Sequence, residues 1–202
     1  MTTRRALGGL VLATLALAGC DRLLPGGAGA PPAFRGVDIT GGEVGRRLEL
    51  PDLDGRTRTL ADFKGSVVVV FFGYTQCPDV CPTTLAELSR LKTALGSDGE
   101  RLQVVFVTID PERDTPEVLR PYMGSFDPSF VALRGTPEQT AAATKDFKIY
   151  YAKAGQSAAG YTIDHTAGSV VIDPQGRARL FVRYGAPADD LTQDVRALLK
   201  EG

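Results

Sequence analysis

Soft-metal and thiol chemistry in this chain depends on a very short list of side chains. The 202 residues include three cysteines, Cys20, Cys77 and Cys81, and a single histidine, His165. Cys77 and Cys81 stand four positions apart, about one helical turn, so their sulfurs can face the same point. Thiolates select soft ions such as Cu(I), whereas a structural zinc site would require four protein ligands. The donor count therefore favours a copper site of low coordination number.

The same two cysteines also fit a redox pair or a structural disulfide, because exported cysteine pairs are usually oxidised. An oxidoreductase would attack a partner disulfide with one thiolate. Cys81 is predicted to stand at a helix N-terminus, where the positive end of the helix dipole favours the thiolate. An isolated histidine is weak evidence for a ligand, but His165 is predicted to lie beside the cysteine segment, and neutral imidazole suits copper.

Three aspartates are candidates for carboxylates that support the metal ligands from a second layer: Asp79, Asp110 and Asp164. Asp164 directly precedes His165 and could orient its imidazole. Asp110 follows a predicted strand, although a turn and a helix cap explain both it and Asp114 without any chemistry. Asp79 lies between the cysteines, where it could be solvated, accept loop hydrogen bonds or belong to a docking surface.

The elements around these residues predict an α/β fold: a thioredoxin-like mixed sheet with helices on both faces and an N-terminal β-hairpin extension. Continuous β-branched and aromatic runs at 67–72 and 102–109 predict strands that are buried on both faces. The cysteines come directly after the first of these strands. They are therefore expected at the carboxyl edge of the sheet, where open α/β sheets bind ligands.

The remaining pattern completes this fold. Leucines spaced by three or four predict an amphipathic helix over 83–95. Turn sequences at Asp54-Gly55 and at 173–176 predict two hairpins. The other predicted elements are a short strand at 131–133 and helices at 115–123, 136–147 and 189–199.

The N-terminal residues predict export and a membrane anchor. Residues 1–19 have the plan of a lipoprotein signal peptide, with two arginines followed by an uncharged, mostly apolar run. The run ends in LAGC at 17–20, which matches a bacterial lipobox, so Cys20 is the predicted lipidation site. Residues 20–35 are rich in Gly, Pro and Ala and form a predicted flexible tether, and residues 36–202 form the predicted domain. The expected location is the bacterial cell envelope, lipid-anchored on the periplasmic side of the inner membrane.

Composition excludes one class of partner. The formal net charge is −1, so no basic surface for nucleic acid is expected. A hydrophobic fraction of 43% and a charged fraction of 23% are ordinary for one globular domain.

Three segments, taken in order, resemble the Sco/SenC family of copper chaperones. They are GYTQCPDVCP at 73–82, DPERDTP at 110–116 and YTIDH at 161–165. The spacing CxxxC alone would be weak evidence. The three together are specific, because the sole histidine of the chain falls in the third segment.

The resemblance implies that Cys77 and Cys81 bind copper through sulfur and that His165 binds it through nitrogen. It also implies a membrane-anchored, thioredoxin-like domain. Such a domain would deliver copper to the centre of cytochrome c oxidase subunit II, or reduce the thiols of that centre. Many members carry histidine just before the first cysteine, where this chain has Gln76. Typical oxidoreductases of this fold have a CxxC pair and a proline before the strand that faces the site. This chain has CxxxC instead, and the residues before Ser169 are HTAG, without a proline. We therefore expect a metallochaperone, with an envelope thiol-disulfide oxidoreductase as the alternative.

Overall fold

A mixed β-sheet forms the centre of the protein in a computed structural model that describes residues 34–157 and 160–202. Within these residues the strands are Val37–Asp38 (β1), Glu49–Pro51 (β2), Thr57–Thr59 (β3), Val67–Gly73 (β4), Leu102–Thr108 (β5), Val131–Leu133 (β6), Tyr151–Ser157 (β7), Gly160–His165 (β8), Gly168–Ile172 (β9) and Ala178–Arg183 (β10). The α-helices are Val80–Ala94 (α1), Pro116–Gly124 (α2), Pro137–Asp146 (α3) and Ala188–Lys200 (α4). Short 3-10 helices cover Leu60–Phe63 and Gly96–Arg101. The predicted signal peptide, Cys20 and the predicted tether up to residue 33 lie outside the described residues.

Six strands form the main sheet in the order β1-β10-β9-β4-β5-β6. β4 pairs in parallel with β5, and β5 with β6, whereas β9 runs antiparallel to both β4 and β10. This is the mixed, thioredoxin-like sheet that the sequence predicts. The N-terminal hairpin is confirmed as well, since β2 and β3 are antiparallel and Gly55 in their turn has a φ of +82°, which favours glycine.

The strand β4 is buried along its whole length because all of its residues, VVVVFFG, are apolar and lie in mid-sheet. Side chains alternate between the two faces of a strand, so its adjacent phenylalanines point to opposite sides. On one face, the ring of Phe72 packs against Phe147 at the end of α3, with centroids 5.2 Å apart. On the other face, Phe71 and Phe106 pack together beside Cys81 of α1. The prediction of helices on both faces is therefore confirmed.

The helix α1 begins at Val80, three residues before the predicted start at Thr83. Its buried leucines follow the predicted spacing, and the helix packs against α4. The earlier start matters for the site, because it brings Cys81 into the first turn of the helix. The helices α2, α3 and α4 lie within two residues of their predicted bounds.

The hairpin formed by β7 and β8 is not predicted by the sequence. It is a separate two-stranded antiparallel sheet in which His165, the last residue of β8, pairs with Tyr151. The sequence of β7, YAKAGQS, lacks the β-branched residues that are typical of strands. The composition of β7 therefore gives no sign of the hairpin that carries the candidate ligand His165.

The N-terminal end of the described chain is fixed to α4. The buried carboxylate of Asp194 accepts hydrogen bonds from the N–H groups of Arg35 at 2.9 Å and Gly36 at 2.8 Å. Next along the chain, β1 pairs with β10 at the edge of the sheet. None of the helices in the described part of the chain is both long enough and apolar enough to cross a membrane.

Candidate metal centre

The cysteine loop, residues 74–79, joins the carboxyl end of β4 to the start of α1. Behind it, the buried carboxylate of Asp114 accepts hydrogen bonds from the N–H of Thr75 at 3.2 Å, from the hydroxyl of Thr75 at 2.6 Å and from the hydroxyl of Thr108 at 2.6 Å. Burial raises the pKa of Asp114, while the hydrogen bonds from Thr108 and Thr75 act in the opposite direction. Because Thr108 ends β5, this carboxylate fixes the loop to the neighbouring strand.

Gly73, the last residue of β4, leaves room for the second cysteine. A Cβ atom at this position would lie 2.7 Å from Cys81 Sγ and 3.0 Å from a ring carbon of Phe106. Both distances are shorter than ordinary van der Waals contact, so glycine is required for this close approach of helix and strand. The sulfur of Cys81 consequently lies deep against the sheet, and its residue is 0% exposed.

His165 turns its ring toward the cysteines. The ring lies edge-on to those of Phe71 and Tyr74, with centroids 6.4 Å and 6.1 Å away. Its Nδ1 atom is 3.1 Å from the carbonyl oxygen of Thr166, and a proton on Nδ1 satisfies that acceptor. Its Nε2 atom lies on the cysteine side, 3.8 Å from Cys81 Sγ.

Cys77, Cys81 and His165 therefore form one cluster, in which one ligand atom from each residue lies within 4.8 Å of the others. Cys81 is buried, whereas Cys77 and His165 are partly exposed. Two sulfurs and one imidazole nitrogen at this spacing fit a soft metal ion bound by few donors.

The two thiols differ in acidity. The side-chain hydrogen bond from Cys81 lowers the pKa of Cys77 to about 3, with smaller help from His165 and from the N–H groups of Asp79 and Cys81, and against the effect of burial. The pKa of Cys81 is raised, because its proton is held in the hydrogen bond to Cys77 and because burial disfavours its charged form. The N–H of Cys81, in the first turn of α1, lies 3.4 Å from Cys77 Sγ. The helix N-terminus thus favours the thiolate of Cys77, not that of Cys81 as the sequence predicts.

Two of the candidate aspartates lie at the edge of the site. Asp79 is exposed at the N-cap position of α1, where its carboxylate accepts a hydrogen bond from the hydroxyl of Thr83 at 3.4 Å. Asp164 is exposed too, and alternation along β8 places its side chain on the face opposite to that of His165. The group beside the His165 Nδ1 atom is instead the carbonyl of Thr166.

Asp110 lies one layer behind the cysteine loop. Its buried carboxylate accepts hydrogen bonds from the hydroxyl of Tyr161 at 2.7 Å and from Nε of Arg113. Arg113 in turn donates to Oε1 of Gln76, in the cysteine loop, at 3.0 Å. A turn and a helix cap therefore do not explain the buried side chains of Asp110 and Asp114. Asp110 binds Arg113 and Tyr161, and Asp114 binds Thr75 and Thr108. The one signal in the sequence was the density of charged residues in DPERDTP.

The fold and the site together define a thioredoxin-like protein whose sheet carries a set of soft-metal ligands, two cysteines and one histidine, at its carboxyl edge. Residues 38–200 match the family model of SCO1/SenC, and the chain belongs to this family.

Known relatives agree with this assignment. The chain is similar to the SCO2-like protein RP587 of Rickettsia prowazekii, with 36% identity over 137 residues that cover 67% of each chain. Its fold is similar to that of Bradyrhizobium japonicum ScoI with copper bound, at 35% identity and a TM-score of 0.69, covering 77% of this chain and 99% of that one. It is also similar to apo Sco1 of Thermus thermophilus, at 38% identity and a TM-score of 0.72, covering 84% and 99%.

The acidity of Cys77 gives a first prediction. Because its pKa is about 3, Cys77 stays ionised from about pH 5 to pH 8, and its alkylation rate should be flat across that range. Iodoacetamide labelling of the reduced full chain, mapped by peptide mass spectrometry, measures this rate. Buried Cys81 should stay unlabelled.

Cys81→Ala provides the control for this measurement. It removes the S–H donor that most lowers the pKa of Cys77, so the rate at Cys77 should then fall as the pH is lowered. A rate at Cys77 in the unchanged chain that climbs with pH, as for an ordinary thiol, contradicts the assignment.

Proposed function

We propose that this chain is a copper metallochaperone, which binds one copper ion through Cys77 Sγ, Cys81 Sγ and His165 Nε2. The observation that carries the proposal is the convergence of these ligand atoms within 4.8 Å. The similarity to a ScoI structure with copper bound supports the choice of metal. Copper is cargo in this proposal, taken up and passed on.

The exposure of the ligands supports transfer. Delivery by ligand exchange requires that a donor of the recipient reach the ion before the last protein donor leaves it. Cys77 and His165 are partly exposed, so they present an open side, whereas Cys81 is buried. Two sulfurs also suit Cu(I) better than a harder ion.

Competition for Cu(I) tests the site. The reduced full chain, kept free of oxygen, should take one equivalent of Cu(I) from a chromophoric chelator. Removing only a residue that hydrogen-bonds a metal ligand already weakens metal binding by about 10- to 100-fold. Cys77→Ser and His165→Ala remove a ligand itself, so each should weaken Cu(I) binding by more than about tenfold.

Cys20→Ser is the matched control, because it removes a thiol that lies outside the described domain. It should bind copper as the unchanged chain does. Binding that is indifferent to His165 would sink the three-donor site and leave the cysteines as a redox pair.

We further propose that the recipient is the copper centre of cytochrome c oxidase subunit II, on the basis of the resemblance to the Sco/SenC family. A second candidate function is reduction of a disulfide in that centre. Both Cys77 and Cys81 are free thiols, and the low pKa of Cys77 favours nucleophilic attack. Cys77 would displace one thiolate of the client and form a mixed disulfide. Cys81, after passing its proton to the client thiolate already released, would then attack Cys77 Sγ, release the second client thiolate and leave a Cys77–Cys81 disulfide, so that two electrons pass to the client.

The soluble copper domain of subunit II separates these two functions. A metallochaperone should transfer copper from the loaded chain to the reduced, copper-free domain, and the absorption of the assembled centre should appear. A reductase should instead convert the oxidised domain to free thiols with the copper-free, reduced chain. Thiol release without copper transfer would contradict delivery, and copper transfer without thiol release would contradict the reductase.

We also propose the arrangement of the chain at the membrane. In it, residues 1–19 are a signal peptide, Cys20 carries the lipid, and the residues from 20 to about 33 tether the domain to the periplasmic side of the inner membrane. The sequence predicts a tether up to residue 35, but the N–H of Arg35 is bonded to Asp194 of the domain. The apolar run that ends in LAGC supports this proposal. A tether of this kind raises the local concentration of the domain near a membrane-bound client.

Fractionation of cells tests the anchor. The unchanged chain should sediment with the membranes, and Cys20→Ser should move it to the soluble fraction because the lipid is lost. Cys77→Ser, which changes a cysteine of the domain, should stay with the membranes. Sedimentation of Cys20→Ser with the membranes would show that lipid on Cys20 is not the anchor.

A further inference from the structure

His165 is carried by a hairpin whose strands, among the residues that the structure describes, are not hydrogen-bonded into the main sheet. Within the described residues, β7 and β8 are hydrogen-bonded only to each other as strands. At the base of this hairpin, the N–H of Thr166 donates to the carbonyl of Tyr150, and the hydroxyl of Thr166 accepts from the N–H of Tyr150. These bonds close the hairpin on itself. Other contacts must fix its face against the cysteine loop.

Arg113 makes such a contact. Its Nη1 atom donates to the carbonyl of Tyr161 in β8 at 2.8 Å and to Oε1 of Gln76 in the cysteine loop at 3.0 Å. One guanidinium therefore joins the element that carries the histidine to the element that carries Cys77.

The same guanidinium is held in place from two sides. Nε of Arg113 is paired with Asp110, and the two side chains are 18% and 1% exposed. The guanidinium carbon lies 3.7 Å from the centroid of the Tyr161 ring, and the Tyr161 hydroxyl donates to Asp110 at 2.7 Å. Asp110, Arg113 and Tyr161 thus form a closed unit, which we call the latch. A buried ion pair of this kind is costly to break from one side.

The hairpin has other attachments besides the latch. The side chain of Ile163 in β8 is buried in the hydrophobic core. The ion pair of Lys153 with Glu112 is more than half exposed on both sides, and such surface pairs contribute little. The N–H of Ile163 donates to the hydroxyl of Tyr74 at 3.2 Å. Backbone groups of alternate residues in a strand point to one edge, so residues 161 and 163 attach β8 by the edge that faces the cysteine loop.

We propose that Arg113 is a positioning residue for His165, acting through the latch. The latch holds β8 against the cysteine loop, so that His165 Nε2 stays near Cys81 Sγ. When the latch opens, the imidazole leaves and the two sulfurs remain in place. This inference rests on the proposed function only where it concerns copper, because the position of His165 is a property of the copper-free chain.

The sole histidine of the chain gives a direct readout. With ¹³C-labelled histidine, the full chain shows one imidazole Cε1–Hε1 signal, which the nearby rings of Phe71 and Tyr74 displace from its exposed position. Arg113→Met keeps the aliphatic stem and removes the hydrogen bonds to Tyr161, Gln76 and Asp110. It should move this signal toward that of an exposed imidazole and lower Cu(I) affinity by about 10- to 100-fold.

Arg120→Met is the matched control. Arg120 donates to the carbonyl of Leu53 and to Asp54, both at 2.6 Å, and so holds the β2–β3 turn as Arg113 holds β8. Its loss should leave the histidine signal and the Cu(I) affinity unchanged. In the background of His165→Ala, Arg113→Met should cause no further loss of affinity, because the residue through which it acts is gone.

Several results would overturn the proposal. One is a histidine signal and a Cu(I) affinity that do not respond to Arg113→Met. Another is full additivity of the Arg113 and His165 losses, which would show a general effect on the fold. If Arg113→Met does not fold, Arg113→Lys decides: a lysine keeps the charge but cannot reach both acceptors, so an unmoved signal rejects the latch. If the unchanged chain binds no Cu(I), the proposed function fails, while the signal of the copper-free variants still tests the latch.

Discussion

The buried carboxylate of Asp114 is the constraint on which the metal centre depends. A carboxylate that has left water must receive hydrogen bonds, because an unpaired buried charge is strongly unfavourable. Here the donors are Thr75, in the cysteine loop, and Thr108, at the end of β5. Any other path of the loop would remove two of these bonds. The hydrogen bonds from Thr75 to Asp114 therefore fix the position of Cys77, although the loop has no regular secondary structure.

The same constraint makes the two thiols unequal. The loop holds Cys77 outside the helix, where it receives the N–H of Cys81, while the missing side chain at Gly73 lets Cys81 lie deep against the sheet. One sulfur consequently gains hydrogen bonds in its charged form, and the other loses contact with water. Depth and hydrogen bonding act together, so identical side chains four positions apart differ in acidity.

The amino-acid sequence predicts the features that local patterns determine. The apolar runs of β4 and β5 and the leucine spacing of α1 are short-range signals, and the order of three motifs grouped His165 with the cysteines. The sequence does not predict features that depend on contacts between residues far apart in the sequence. Asp114 and Thr75 are 39 residues apart, so a turn-and-cap pattern could explain the backbone at Asp114 but not its side chain. The strand β7 was missed because its stability comes from pairing with β8, and its own composition gives no sign of it.

The ligands are thus attached to the protein in two different ways, and this bears on the proposed transfer. The sulfurs belong to a loop and a helix that the core and Asp114 hold, whereas the imidazole belongs to a hairpin outside the main sheet. In a stepwise ligand exchange, the donor that leaves at the lowest free-energy cost leaves first. Withdrawing His165 disturbs side-chain contacts of one hairpin, while withdrawing Cys81 would require α1 to leave the sheet. The order of ligand loss that follows is imidazole first and buried sulfur last, so the incoming donor of the recipient is expected to enter on the histidine side.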